Sequence, residues 1–183
     1  PFFSFDYDAP LNFGAIGCVI GHEITHGFDD QGCKFDGHGN LNNWWTQSDK
    51  DLFNKKTAVL RDQFSNLKIN GENVNGELTL GENIADLGGV IISFNALKRY
   101  AKDNILYTLE TFTPEERFFY SYAKLWRCLI RDKELSNRLI TDPHSPPFLR
   151  INQILLNVPD FYNIFKKNNN ADTIPKDLQA NIW

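Results

Sequence analysis

Two histidines four residues apart, His22 and His26, constrain this chain more than any other feature, because their side chains share a face only if the segment is helical. On a helix of about 3.6 residues per turn the imidazoles stand roughly one turn apart, a separation that suits two ligands of one zinc ion. Glu23 follows His22 directly, so its carboxylate lies beside such an ion and not on it, within reach of a water proton. The pattern predicts a metallopeptidase centre. The competing reading is a pair of core histidines with satisfied hydrogen bonds. Ile16, Ile20 and Ile24, spaced i, i+4, i+8, weigh against it: they form a stripe expected to face the core and turn the imidazoles away from it. Asn12 is the expected N-cap of this helix and Gly27 its expected stop.

A second helix is predicted from residues 79–86 onward. Glu82 and Asp86 share one face, while Ile84, Leu87, Ile91 and Phe94 point towards the core. Thr79 with Glu82 three residues later also reads as a capping box, and taken alone that reading suffices. Beside the histidine helix, Glu82 becomes the natural third ligand, since a catalytic zinc takes three protein ligands and keeps one position open. Asp86 can then reach the outer nitrogen of a ligating histidine and fix its tautomer. Gly88-Gly89 allows another backbone to approach this helix closely.

The rest of the chain reads as support. Residues 33–41 form a turn, with Asp36-Gly37 and Gly39-Asn40 offering positive-φ positions and His38 in solvent. Trp44 and Trp45 are expected in the core or a pocket wall. A helix opens at residues 48–51 with Leu52, Phe53, Val59, Leu60 and Phe64 on one side. Asn70-Gly71 and Asn75-Gly76 predict a hairpin or irregular excursion. Thr113-Pro114 with Glu116 starts a helix whose apolar face runs from Phe118 through Trp126 to Leu129 and Ile130. Residues 141–147 break it, with Asp142 placed to orient His144, and Arg150 opens a final helical region.

Composition adds exclusions. A length of 183 residues with a net charge of −4 and 42% hydrophobic residues describes one ordinary domain, or a large part of one, and gives no electrostatic case for a nucleic-acid partner. Apolar runs stay well short of the roughly 18 residues of a membrane span, and residues 1–6 lack the pattern of a signal peptide. Cys18, Cys33 and Cys128 follow no metal or redox spacing, and Cys18 reads as a small buried hydrophobe.

Residues 19–30 (VIGHEITHGFDD), Trp44-Trp45-Thr46, residues 81–86 (GENIAD), residues 142–146 (DPHSP), Arg150-Ile151 and Trp183 together resemble the C-terminal part of the neprilysin and endothelin-converting-enzyme family. These are zinc metalloendopeptidases with a thermolysin-like active site, usually carried as cell-surface ectodomains. The resemblance implies a mostly helical α+β zincin catalytic region in which His22, His26 and Glu82 hold one zinc ion and Glu23 activates water. It places Asp86 at the family's motif acid, sometimes described as a proton donor. It places His144 at the residue that stabilises the oxyanion, and Arg150 at the one that holds a substrate carbonyl. Small peptides are the implied substrates, cleaved at internal bonds.

Departures from the family are also legible. Ala180 and Val59 stand where a disulfide pair is expected, a further cysteine near Lys167 is missing, and Cys128 is displaced by one in Trp126-Arg127-Cys128. Pro147 stiffens the loop behind His144. Family members carry several hundred residues upstream, including an edge strand that pairs with the substrate. Residues 1–183 are therefore expected to be the C-terminal part of a longer catalytic domain, with the missing N-terminal portion as a partner. The alternative is a catalytically incompetent peptide-binding or structural remnant that keeps the metal site.

Overall fold

The computed structural model describes residues 2–165 and 174–183, so Lys167 lies outside the described residues. Helix α1 (Ala9–Asn12) starts where Asp8 accepts a hydrogen bond from the Leu11 N–H, with Pro10 in its first turn. A π-helical turn (Phe13–Gly17) carries it without a break into α2 (Cys18–Thr25). Asn12 is consequently not a cap. It sits mid-helix, and its side chain ties down the preceding segment through Ser4 and Tyr7. Nor does Gly27 stop the helix: the chain tightens into a 3-10 turn (His26–Phe28) and leaves it at Asp29, which is extended.

The second long element, α3 (Gln47–Ser65), is capped by Thr46, whose hydroxyl accepts from the Asp49 N–H. It buries Phe53, Leu60 and Phe64 but leaves Leu52 outside. A two-residue hairpin follows, β1 (Lys68–Ile69) against β2 (Glu72–Asn73) with Ile69 opposite Glu72. Its turn residues Asn70 and Gly71 both have positive φ, as a tight primed turn requires. These are the only strands among the described residues, so the β part of the expected α+β class reduces to this hairpin. In the earlier turn only Gly39 takes a positive φ. Asp36 shapes the rest by accepting from the His38 and Asn40 N–H groups.

Helix α4 (Leu80–Asp103) is the centre of the molecule, with Ile84, Leu87, Val90 and Phe94 all enclosed. Its Thr79 makes no capping box. The Thr79 hydroxyl turns back to the Asn75 carbonyl, which leaves the Glu82 carboxylate free to face elsewhere. Helix α5 (Pro114–Leu125) does have the expected capping box, and its Phe118 and Phe119 pack against Phe94, edge-on and tilted respectively, with ring centres 5.0 Å apart. It ends with Trp126 as its C-cap, short of the expected Ile130; the Trp126 ring packs on Arg150, and Leu129 is fully exposed. Helix α6 (Asp132–Thr141), which the apolar pattern did not announce, buries only Leu139. Helices α7 (Pro147–Leu155) and α8 (Pro159–Phe165) close the core, with Arg150 inside α7 and not at its start.

Small residues let α2 and α4 touch backbone to backbone. A Cβ on Gly21 would lie 2.9 Å from the Gly89 Cα, and one on Gly89 would lie 2.5 Å from the Cys18 carbonyl oxygen. This contact reverses the expected orientation of α2. Cys18, Gly21, His22 and Thr25 form the buried face, while Ile20 and Ile24 are 54% and 56% exposed. Hydrophobicity pointed to the isoleucine stripe as the core face, but the separation of these two helices is set by side-chain size, which only the glycine line satisfies.

Candidate metal centre

The α2–α4 contact places His22, at the end of α2, beside the first two turns of α4. Glu82 and Asp86 stand one turn apart there and take hold of the same imidazole from opposite sides. His22 Nδ1 lies 2.9 Å from Asp86 Oδ1 and His22 Nε2 lies 3.2 Å from Glu82 Oε2. His26 repeats the arrangement with a different acid: Nδ1 is 2.7 Å from Asp29 Oδ2 and Nε2 is 3.6 Å from Glu82 Oε1. His144, from the loop after α6, makes a third copy, with Nδ1 2.9 Å from Asp142 Oδ1 and Nε2 3.2 Å from Glu82 Oε2. Three imidazoles thus give their Nδ1 atoms to three aspartates and aim their Nε2 atoms at one glutamate. A carboxylate on Nδ1 selects the tautomer whose lone pair sits on Nε2.

Electrostatics follow from this convergence. Burial works against the His22 imidazolium, but the bond to Asp86 and then the contact with Glu82 outweigh it and push the group up to about 9. Burial also opposes the Glu82 carboxylate, yet the neighbouring His22 and the charge of His144 carry it below the usual range. Asp86 lies low for a similar reason: against its complete burial stand Arg150, bound through Nε at 2.7 Å and Nη2 at 2.8 Å, and His22. Arg150 itself is buried, with its guanidinium carbon 3.7 Å from the centre of the Trp126 ring.

A cation fits these donors. Glu82 Oε2 is buried, yet none of the nitrogens around it makes a hydrogen bond to it of acceptable geometry. With Nδ1 carrying the proton in each histidine, lone pairs meet a carboxylate at this point, an arrangement relieved by a proton on Nε2 or by a metal ion. Donor atoms of His22, His26 and Glu82 all lie within 4.8 Å of one another. Ligand atoms of a tetrahedral zinc, with bonds of about 2.0–2.1 Å, stand about 3.4 Å apart, between the two histidine–Glu82 separations found here. Glu23, next to His22 on α2, is exposed.

The sequence profile of peptidase family M13 matches residues 1–180. The chain belongs to that family. Among M13 relatives it is 41% identical to neprilysin-11 of Caenorhabditis elegans over its whole length, and 44% identical to human endothelin-converting enzyme 1 over 91% of it. In both cases it spans about 22% of the relative's own length. Superposition on the crystal structure of a Mycobacterium tuberculosis zinc metalloprotease in complex with an inhibitor gives a TM-score of 0.95 at 39% identity, covering all of this chain and 29% of that one. The motif residues of this M13 chain are therefore gathered at one place, His22, His26, Glu82, Asp86, Asp142, His144 and Arg150 within a single network.

Sequence reasoning missed three members. Asp29 holds His26 and also accepts from the Gln31 and Gly32 N–H groups at 2.8 and 2.6 Å; its position three residues after His26 was the available signal. Asn83 and Ser145 join α4 to the His144 loop through side chains with no charge to draw attention to them. All three cysteines are free, and Cys18 is buried with its thiol pushed up by desolvation. No helix among the described residues is long and apolar enough to cross a membrane.

Proposed function

We propose that this chain carries the catalytic centre of a zinc-dependent endopeptidase that hydrolyses internal bonds of small peptides, with a zincin arrangement in which α2, the 3-10 turn that continues it, and α4 supply the ligands. The observation that carries this reading is the convergence of His22 Nε2, His26 Nε2 and the Glu82 carboxylate, the last holding a buried oxygen that lacks a hydrogen bond. Zinc, when bound, supplies the Lewis acidity that acidifies a water molecule and polarises the scissile carbonyl.

The chain's own residues do the rest. Asp86 and Asp29 hold the Nδ1–H groups of His22 and His26 and so keep the ligating nitrogens in place. Glu23, exposed beside His22, takes the proton of the attacking water and returns it to the leaving amine. His144, with Nδ1–H held by Asp142 and a second proton carried on Nε2, donates that Nε2–H to the oxyanion that forms as the carbonyl is attacked; one such donor contributes about 3 kcal/mol to lowering the barrier. Arg150 is held by Asp86 through two nitrogens, which leaves Nη1 for a substrate carbonyl. The names of the relatives, a converting enzyme and neprilysins, support peptide substrates, and the cell-surface setting implied by the resemblance fits the same reading.

Cleavage of a short internally quenched peptide, followed before and after zinc is stripped with a chelator, tests the proposal. Turnover is expected to vanish on stripping and to return with one equivalent of zinc. Turnover indifferent to the chelator, in protein shown to be zinc-free, contradicts it.

A further inference from the structure

Two neighbouring residues of the loop between α6 and α7 meet two neighbouring residues of α4. His144 Nε2 lies 3.2 Å from Glu82 Oε2, and Ser145 Oγ donates to Asn83 Oδ1 at 2.8 Å. The surroundings of these contacts differ. The His144 side chain is 47% exposed, whereas Ser145 is 2% exposed and Asn83 is fully enclosed. Asn83 in turn donates from Nδ2 to Thr79 Oγ1 at 3.0 Å, and that hydroxyl donates to the Asn75 carbonyl at 3.1 Å. Pro146 is buried as well, so the loop enters the protein immediately after His144.

Asp142 does not supply this anchorage. Its Oδ1 accepts from the His144 backbone N–H and meets Nδ1, both at 2.9 Å, and both contacts stay inside the loop. They fix the ring relative to its own backbone and leave the seating of the loop on α4 undetermined. The Ser145–Asn83 bond runs from the loop itself to α4, and it is buried. A hydrogen bond between two groups withdrawn from water is stiff, because opening it strands donor and acceptor together with no solvent to replace either.

We infer that Ser145 and Asn83 are positioning residues for the proposed hydrolysis: their buried hydrogen bond sets the height of the His144 loop over α4, and with it the distance from His144 Nε2 to the reacting carbonyl. This rests on the reading of His144 as the oxyanion donor. Donors work by standing in place before charge develops, and a displacement of about 1 Å is enough to cost on the order of 100-fold in rate.

The test is a double-mutant cycle on the zinc-loaded, full-length protein, with kcat, KM, zinc per chain and melting temperature measured for Ser145→Ala, His144→Ala and the pair. Ser145→Ala is expected to lower kcat about tenfold with KM and zinc content unchanged, and to add less than about twofold once His144 is already alanine, since no donor is left to misplace. Equal losses in both backgrounds, an unchanged kcat, or loss of zinc from Ser145→Ala would overturn the inference while leaving the role of His144 intact. A wild-type kcat in His144→Ala would instead remove the reading of His144 on which it rests. Should Ser145→Ala fail to fold, Ser145→Cys keeps the size and weakens the donor, and the same cycle is run with it: non-additive loss supports the inference and additive loss overturns it.

Discussion

On its inner face α2 meets α4 through Gly21, with Thr25 against Gly88, at separations where no further carbon atom can be accommodated; on its outer face Ile20 and Ile24 stand more than half in solvent. The two faces belong to one eight-residue helix, and the chemistry is tied to the inner one. His22 lies on that face, and its imidazole reaches both Glu82 and Asp86 because the backbones are close enough for two acids, one turn apart on α4, to flank it. The lesson is that the precision of this site comes from main-chain contact. The apolar stripe, which carries most of the helix's hydrophobicity, is not what positions it.

The contrast can be broken most severely from the inner side. Gly89→Ala places a Cβ 2.5 Å from the Cys18 carbonyl oxygen and 2.8 Å from the His22 nitrogen, both backbone atoms. Better helix propensity returns about 1 kcal/mol, but the overlap outweighs it. A net loss of about 2 kcal/mol is expected, read as a fall of about 4–8 °C in the melting temperature. An unchanged melting temperature would show that the helices can part without penalty.

A smaller effect is expected where the site leaves the helix. Asp29→Asn keeps the shape of the group that accepts from Gln31, Gly32 and His26 but removes its charge, so His26 is held less firmly. Zinc affinity, measured by competition with a chelator, should fall about 10- to 100-fold while the melting temperature of the zinc-free protein changes little. Undiminished affinity would restrict the account to the α2–α4 contact and remove Asp29 from it. On the outer face the expected effect is smallest. Ile20→Ser and Ile24→Ser should each change the stability of this chain by less than about 0.5 kcal/mol in a denaturant titration. A loss above about 2 kcal/mol would mean that the stripe is packed after all.

Much of this centre could be read from residue spacing, because its members are close in sequence: His22 with His26 and Glu82 with Asp86 one helical turn apart, and Asp142 with His144 two residues apart in one loop. The capping box at Thr113 and the primed turn at Asn70-Gly71 were legible for the same reason, since each depends on a few adjacent residues. What periodicity cannot supply is which face of a helix meets a neighbour when small residues and large apolar ones lie on different faces. The misplaced isoleucine stripe comes from that gap. Thr79 reads as a cap locally, but the Asn75 carbonyl and Asn83 claim its hydroxyl, and that competition is visible only once the preceding loop is folded. Helix α6 was missed because its only buried residue is Leu139, too little for a stripe.

The central claim is that the ligands hold the metal while Glu23, beside them and not among them, moves the proton. Glu23→Gln in the zinc-loaded, full-length protein tests it most directly, because the amide keeps the size of the side chain and cannot accept a proton from water. The account predicts one zinc per chain, as in the unaltered protein, with peptide turnover lowered by about 100-fold or more. Turnover within a few-fold of the unaltered protein, or loss of the zinc together with activity, would contradict it.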